Sequence, residues 1–460
     1  MRRSVLLRAA VAAALIAIPS AARAQQAPIT LRDALSRADS LAYANRMARG
    51  SAQARHAQAL APLHGVLPSV NVDAGYVQTT DPIGAFGTTL RQRSTTPANF
   101  DPHALNFPAP ARDYSGDVEV QQPLFNADAL IGRRAASLAA ESADAGAQWT
   151  RYSVRADVVR AWFGAAVASA QVAALDSASA AAHAHVRVAQ SMERNGLVTQ
   201  SDVLLASVRA NDLDAQLAAA LGNAQMARRQ LATLVALPGQ ILEIDARIPA
   251  SDAIRAETAP DTLDAGIAGR ADLRAATLGA QAAGADANRA RAAYLPRLNA
   301  FGRYDWHALS HPYGGLPSWT AGVMLSWSPF AGGSQLSDAR RAQADRATAN
   351  AAADAAHAQA QLDEAQTSTD LVVALQRMGL AELSATQAQE AHRIVTRKYE
   401  GGLATIVELL DAAAAQARTA VELSAARFAV ITADAARRQA LGRDPGTLVD
   451  LDASAPTTTR

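Results

Sequence analysis

Acidic side chains follow two short segments that nearly repeat each other. Residues 195–202 read Asn-Gly-Leu-Val-Thr-Gln-Ser-Asp, and residues 401–408 read Gly-Gly-Leu-Ala-Thr-Ile-Val-Glu, at an offset of 206 residues. Asp411 follows Glu408 by three positions, so both carboxylates lie on one face if this segment is helical. Such carboxylates, gathered from several copies of the chain, would form a constriction that favours cations. Alternatively, Asp202 and Glu408 only stabilise helix N-termini through the helix dipole.

No residues have the spacing of a catalytic, cofactor-binding or metal-binding site. The sequence lacks a P-loop, a Gly-x-Gly-x-x-Gly motif and a nucleophile elbow with its His and Asp partners. His183 and His185 flank one alanine, whereas a metal pair on a helix prefers i,i+4 spacing and needs a third ligand. We therefore interpret them as solvated or packed polar residues. We predict that the protein is not an enzyme and that it binds no cofactor or metal.

Composition excludes further classes. There are no cysteines, so disulfides, thiolate metal sites and a cysteine nucleophile are impossible. Lys and Arg number 43 against 42 Asp and Glu, and this balance gives no basic stripe for nucleic acid. Alanine dominates the hydrophobic 50% of the chain, and aromatic residues are only 5%. This composition favours closely packed helices over a large globular core.

The N-terminus has the features of a secretory signal peptide over residues 1–24. Met1-Arg2-Arg3 is basic, an apolar run follows, and Ala22-Arg23-Ala24 fits a cleavage site. The nearest later candidate for a membrane helix, residues 161–175, has 15 residues, and a membrane helix needs about 20. We therefore expect the mature chain to enter a membrane only as β-strands.

The chain is a tandem duplication. Besides the two Gly-Leu segments, residues 122–125 align with 327–330 and residues 67–71 align with 295–299, in the same order. The offset falls from 228 to 205 between these last two matches, which places an insertion in the first copy between residues 76 and 113. Five prolines over residues 79–113 predict an exposed loop there.

Each copy contains an antiparallel helical hairpin. Apolar residues recur with the 3.5-residue period of a coiled coil on both sides of Asn195-Gly196. The rising helix is predicted over about residues 128–194, with its tip near 195–199. In the second copy a helix from about residue 334 reaches a tip near 400–404 and returns to about Leu441. There the period is less regular, and the prediction follows from composition and the repeat.

Four segments of about ten residues, the length of a tilted membrane strand, alternate polar and apolar residues. They are about 68–79, 114–125, 297–307 and 318–328. A soluble antiparallel sheet with one wet face fits the alternation as well. We favour the membrane because of the signal peptide and the aromatic residues at strand ends. Open sheet edges are not tolerated in lipid, so the strands must join those of other copies in a barrel of 8, 12 or 16 strands.

The predicted organisation has five parts. A signal peptide (1–24) precedes a first repeat (25–240), a connector (241–260) and a second repeat (261–445). Residues 446–460 are predicted to be a loosely ordered tail, because the segment 443–460 is rich in Pro, Thr and Asp.

Helix, strand, loop, strand and long helical hairpin, repeated twice behind a signal peptide, resemble the TolC-like outer membrane efflux proteins, also called outer membrane factors. The matching motifs are residues 29–35 (Ile-Thr-Leu-Arg-Asp-Ala-Leu), 122–125 (Gln-Pro-Leu-Phe), 270–273 (Arg-Ala-Asp-Leu), 290–296 (Ala-Arg-Ala-Ala-Tyr-Leu-Pro) and 399–411 around the second turn. The resemblance covers essentially the whole mature chain.

The resemblance implies a mostly α fold with a membrane β-barrel. Three chains would share a 12-stranded barrel in the outer membrane and continue as an α-helical tunnel through the periplasm. Such a trimer would be the passive exit duct of a tripartite efflux pump, or of a type I secretion system, and would carry small molecules outward. Its partners would be a periplasmic adaptor (membrane fusion protein) and an inner-membrane pump.

The resemblance also assigns candidate sites. Glu408 and Asp411 match acidic residues that line the closed periplasmic aperture, Tyr399 matches a residue that holds it shut, and Asp202 is the repeat partner of Glu408. Ala404 departs from relatives that have an arginine there, so the resemblance does not extend to the charged lock of the aperture. Candidate adaptor contacts are Gly196, Leu197, Gly402 and Leu403, because an exposed leucine on a turn has no core to fill. Ordinary turn chemistry is the alternative for these four.

A periplasmic coiled-coil adaptor or scaffold protein without its own barrel is the second functional hypothesis. Adaptors also contain helical hairpins, but usually one, together with domains built from short Gly-rich strands. The four ten-residue amphipathic segments favour the channel.

Overall fold

The computed structural model describes residues 29–258, 266–311 and 314–453. The predicted signal peptide therefore lies outside the described residues. Those described form eleven α-helices and four strands, which are α1 Leu31–Leu41, α2 Tyr43–Gln58, β1 Ser69–Thr79, α3 Pro82–Arg91, α4 Pro102–Asn106, β2 Ala111–Phe125, α5 Ala127–Arg194, α6 Gln200–Leu234, α7 Ser251–Glu257, α8 Ala271–Ala292, β3 Arg297–Ala308, β4 Pro317–Ser326, α9 Ser334–Glu400, α10 Ile406–Ala440 and α11 Val449–Ala453.

Two long hairpins dominate the molecule and confirm the predicted repeat. Helix α5 has 68 residues and α9 has 67, so each is about 100 Å long at 1.5 Å per residue. Helices α6 and α10 return along them for 35 residues each. The predicted seam residues of the first hairpin, from Val154 to Leu234, are all buried or half-buried. Small alanines at half of these positions let the two backbones approach closely.

The main core lies where the hairpins meet the N-terminal helix. Trp162 and Phe163 of α5 are fully buried there among Leu31 of α1, Met378 of α9 and Ile431 of α10. Helix α10 packs against α5, and α8 packs against both α5 and α9. This cluster fixes the two repeats side by side.

The start of the C-terminal tail is packed, which corrects the prediction of a loosely ordered segment from residue 446. Leu448 and Leu451 are buried in the main core. Arg155 of α5 binds both Asp39 of α1 and Asp444 just before this segment. Burial alone would raise the pKa of Asp39, but hydrogen bonds from Arg155 and neighbouring guanidinium charge hold it below its usual value. Two leucines three positions apart were the sequence signal for this packing. The polar composition of the segment around them had favoured a disordered tail instead.

The predicted connector, residues 241–260, is also less irregular than expected. It contains the short helix α7, whose Ile254 is fully buried in the main core. A single apolar residue between polar neighbours carries too little periodicity to predict this helix from sequence.

The four strands form one antiparallel sheet in the order β1-β2-β3-β4, close to the predicted bounds. Its register gathers like residues into rows that cross all four strands. One row is apolar, comprising Val72, Val118, Tyr304 and Trp319. The adjacent row, which points to the opposite face, is polar, comprising Asp73, Asp117, Asp305 and Ser318. The sheet therefore has one apolar and one charged face.

The outer strands of this sheet, β1 and β4, are exposed on both faces and along their free edges. Trp319 of β4 is 75% exposed. On the charged face Arg303 donates to Asp117 at 2.8 Å, and His307 lies 2.7 Å from a carboxylate oxygen of Asp113. Exposed edges with an exposed apolar face require a covering surface that one chain does not supply.

The insertion between β1 and β2 contains helices α3 and α4, which corrects the prediction of an exposed loop. Both begin with an Asp-Pro pair, in which the aspartate caps the helix and proline occupies its first position. Gln92, just after α3, donates to the carbonyl of Arg112 at 2.7 Å and to Asp113 at 3.0 Å. The insertion is thus fixed against the end of the sheet. The two Asp-Pro pairs were the sequence signal for it.

Within the described residues, α5 is long and apolar enough to cross a membrane, with a mean hydropathy of 1.4 over an 18-residue window. The sequence had been expected to contain no such stretch after its N-terminus. Part of the window is buried inside the chain, and α5 contributes Trp162 and Phe163 to the main core. A helix of a packed core meets the same length and composition criteria, so the packing explains this apolar stretch.

Candidate functional site

The two hairpin tips have the same backbone geometry. In the first, Leu197 N–H donates to Met192 C=O at 2.9 Å and Gly196 N–H to Glu193 C=O at 2.8 Å. In the second, Leu403 donates to Lys398 at 2.8 Å and Gly402 to Tyr399 at 3.0 Å. These pairs of bonds are Schellman motifs, which end a helix by reversing the chain.

Glycine in each tip is required by backbone conformation. Gly196 has φ +71° and Gly402 has φ +72°, and a side chain at either position would meet open space. A substitution there would therefore strain the backbone without a steric clash. This supports turn chemistry as the role of the two glycines.

The leucine after each glycine has no partner in its own chain. Leu197 is 70% exposed and Leu403 is 82% exposed, although a residue at this position of a Schellman motif usually packs on its helix. Two exposed leucines at the same end of the molecule form a small apolar surface. This surface, which we call the tip leucines, is available to another protein.

Two of the acidic candidates cap helices. Asp202 accepts hydrogen bonds from Thr199 N–H at 2.9 Å and from the Thr199 hydroxyl at 2.8 Å. Glu408 accepts from Thr405 N–H at 2.7 Å. Each Thr hydroxyl in turn accepts from the acid's N–H, which completes a capping box at the start of α6 and of α10. The bonds from Thr199 lower the pKa of Asp202.

The capping role does not occupy all of the acidic groups. Glu408 and Asp411 are both exposed on α10, three positions apart. Among the described residues, Asp411 has no ion-pair or hydrogen-bond partner. The tip of the second hairpin therefore presents two carboxylates on one helix face, whereas Asp202 is half-buried beside the first turn.

Tyr399 joins the two hairpins. Its side chain is 6% exposed and packs with Ile406, Leu409 and Leu410 at the base of the second tip. Its hydroxyl donates to the sulfur of Met192 in the first hairpin at 3.3 Å. Burial and, to a lesser extent, the negative charge of Asp202 raise the pKa of Tyr399. This group of residues, which we call the Tyr399 cluster, is the apolar contact nearest the tips.

Ala404 is half-buried against the Tyr399 cluster. It extends the apolar contact and supplies no charge. The cations at this tip come instead from the last turn of α9, where Arg397 and Lys398 are exposed.

Lys398 was not among the candidate residues that the sequence suggested. It is the only lysine in the chain, whose other basic residues are arginine and histidine. It stands immediately before Tyr399, at a helix C-terminus where a cation is favoured by the helix dipole. The unique residue type and its place in the turn motif were the available signal.

The two histidines on α5 have different surroundings. His183 Nε2 lies 3.0 Å from Asp214 of α6, and His185 points elsewhere, into a cavity between the hairpins. Within the described part of the chain, no three His, Cys, Asp or Glu side chains are grouped to hold a metal ion.

Comparisons with known proteins give the same architecture. A family model described as outer membrane efflux protein matches residues 30–237 and 263–443. No curated protein matches the sequence. The fold is similar to outer membrane protein VceC of Vibrio cholerae (TM-score 0.73, 20% identity, covering 90% of this chain and 96% of that one). It is also similar to the CmeC outer membrane channel of Campylobacter jejuni (0.73, 15%, 94% and 90%) and the open-state MtrE outer membrane channel of Neisseria gonorrhoeae (0.70, 17%, 90% and 89%).

Proposed function

The chain belongs to the outer membrane efflux protein family, and from that premise we propose that three copies form one passive exit duct. The family places the protein in the outer membrane and gives it a channel role in efflux. In our proposal each copy contributes its four strands to a single 12-stranded barrel. The long hairpins continue from the barrel into the periplasm as a tunnel.

The observation that carries this proposal is the sheet with its two free edges. Strands β1 and β4 are open, and one face presents the apolar row that includes Tyr304 and Trp319. In lipid every backbone N–H and C=O needs a partner, so the free edges must meet those of further copies. A closed barrel would direct the apolar row to lipid and the charged row, with Asp117 and Asp305, to the lumen.

The hairpin tips are the proposed inner, periplasmic end of the duct. Glu408 and Asp411 of three copies would surround the axis, and the Tyr399 cluster would hold each pair of hairpins together in the closed aperture. The tip leucines would bind a periplasmic adaptor, which connects the duct to an inner-membrane pump. Small molecules are the proposed cargo, through a tripartite efflux pump or a type I secretion system.

The mass of the mature chain, Gln25–Arg460, extracted from membranes in mild detergent, tests the assembly. We expect three times the chain mass by light scattering after the detergent contribution is subtracted, and we expect precipitation when detergent is removed. A monomer that stays soluble without detergent would refute the barrel and favour the periplasmic scaffold.

Conductance tests the channel itself. The purified protein in planar bilayers should give discrete steps, because a closed barrel encloses an aqueous lumen. A detergent-dependent trimer that never conducts, even with the tips removed or opened, would retain the assembly but contradict the duct.

A further inference from the structure

A cavity of about 370 Å³ lies between the two hairpins. Its walls are mostly alanines of α5 and α10, among them Ala182 and Ala413. The ionisable residues that line it are His185 of α5, Arg209 of α6 and His392 of α9. All four helices of the hairpins therefore contribute to one apolar space, which we call the hairpin cavity.

Each histidine of the hairpin cavity has one buried ring nitrogen without a hydrogen-bond partner among the described residues. In both His185 and His392 this nitrogen is Nε2. One histidine belongs to the first hairpin and the other to the second, so any repulsion between them acts between the two hairpins. Their neighbour Arg209 is already paired with Asp212 at 3.1 Å.

No carboxylate lines this space to compensate a new charge. Helix α10 contributes only uncharged side chains to the walls, including Leu410 and Gln416. Asp214, the acid near His183, is engaged by the Ser179 hydroxyl and by His183. An imidazolium at His185 would therefore lie in an apolar cavity whose other ionisable lining residues, Arg209 and His392, offer it no negative charge.

Burial, and to a lesser extent the nearby His392, lower the pKa of His185 from its usual value of 6.5. A histidine whose pKa is lowered by packing stabilises the packed form most when the pH is above the usual pKa of histidine. That stabilisation is lost as the pH falls from 6.5 through the lowered pKa, because the separated form takes up the proton more readily.

We propose that the hairpin cavity is a pH-sensitive joint, in which protonation of His185, which shares the cavity wall with His392 and Arg209, separates the two hairpins. Its position supports such a role, because it lies along α5 and α10 between the main core and the Tyr399 cluster. Separation of the hairpins there would weaken the contact between Tyr399 and Met192. It would therefore favour an open tip at low pH. The proposal concerns two hairpins of one chain and does not depend on whether the assembly conducts.

The absence of cysteine makes the joint measurable in the full-length protein. Ala182→Cys places one thiol on the cavity wall, where the native residue is buried. Its rate of modification by a small neutral maleimide, divided by that of a free thiol at the same pH, reports opening. Between pH 7.5 and 5.5 we expect this ratio to rise about tenfold if His185 titrates near its usual value of 6.5 only in the open form.

The matched variants use neighbouring histidines. His185→Gln together with His392→Gln keeps a polar, neutral side chain at both positions and should abolish the rise. His183→Gln, two residues away on α5 but paired with Asp214 inside the first hairpin, should leave it unchanged. Each single cavity variant should reduce the rise.

Three results would overturn the proposal. The first is a pH-independent ratio in the protein with both native cavity histidines, which needs no histidine variant to interpret. The second is a rise that persists in the double variant. The third is a rise that His183→Gln removes as effectively, because the response would then originate within one hairpin.

Discussion

At the scale of the residue, the acids near the tips divide into structural and available groups. Asp202 uses its carboxylate to cap α6, and Glu408 shares its carboxylate between the cap of α10 and solvent. Asp411 is exposed and unpaired within the described residues. If the tips surround an axis, the cation preference should therefore come mainly from Glu408 and Asp411.

We predict that Glu408→Gln with Asp411→Asn lowers the ratio of cation to anion permeability severalfold, because it removes the exposed charges at the constriction. Reversal potentials in a potassium chloride gradient measure this ratio. The effect should shrink as salt rises, since about 0.15 M salt already screens exposed charges beyond roughly 8 Å. Asp202→Asn is the control and should change the ratio less. Equal effects of both changes would remove Glu408 and Asp411 from the aperture.

The cap of α6 gives a second prediction. Thr199→Ala removes the hydroxyl that completes the capping box and should cost about 1 kcal/mol of local stability. Because hydrogen bonds lower the pKa of Asp202 below 3.8, the stabilisation from its carboxylate is present above that value and is lost as the pH falls further. Amide hydrogen exchange over residues 200–206 should accelerate in the variant at neutral pH, and in the native chain only in strong acid. Unchanged exchange in both would contradict the cap.

The buried tyrosine gives the third prediction. Tyr399→Ala should cost about 3 kcal/mol, as large-to-small changes in a core do, and should loosen the contact between the hairpins. Tyr399→Phe loses only the hydroxyl bond to Met192 and should resemble the native protein. Single-channel open probability separates the two variants. An alanine variant that stays as closed as the phenylalanine variant would show that the Tyr399 cluster does not control the aperture.

At the scale of the element, the longer the periodic sequence pattern of a helix, the better its bounds were predicted. The long helices of the first hairpin were predicted to within a residue or two because twenty seam positions repeat one spacing, and the duplication supplied the less regular second hairpin. Helices α3 and α4 were missed because each is short and lies in a proline-rich segment, where only the two Asp-Pro caps announce it. The packed tail was missed because Leu448 and Leu451 find their partners far away in the chain.

The main core is the element contact most sensitive to substitution. Trp162 is 1% exposed, and Trp162→Ala should cost about 3–5 kcal/mol and lower the thermal midpoint of the helical part. Trp319→Ala is the matched control, because Trp319 lies on the exposed apolar face of the sheet. Far-UV circular dichroism during heating in detergent measures both. Equal midpoints for the two variants would contradict a stabilising core at Trp162.

At the scale of the whole molecule, the candidate site shows why sequence alone was incomplete. The turn motifs identified the tips, but the capping of Asp202 and the burial of Tyr399 against Met192 depend on how two hairpins separated by about two hundred residues meet. The hairpin cavity was invisible for the same reason. His185 and His392 have no motif in common, and only packing brings them to one space.

Lys398 allows the arrangement of the assembled tips to be tested. Because it is the only lysine and is exposed beside the turn, a short homobifunctional amine reagent joins two copies through their side chains only where their tips converge. We expect covalent dimers, and no larger species, on denaturing gels when the native protein is treated in detergent, because each copy offers one lysine and each linker joins two amines. Lys398→Arg keeps the charge but removes the reactive amine, so it controls for reaction through the chain N-terminus. If the native protein gives no more dimer than this variant, the Lys398 side chains do not converge and the tips do not meet around a common axis.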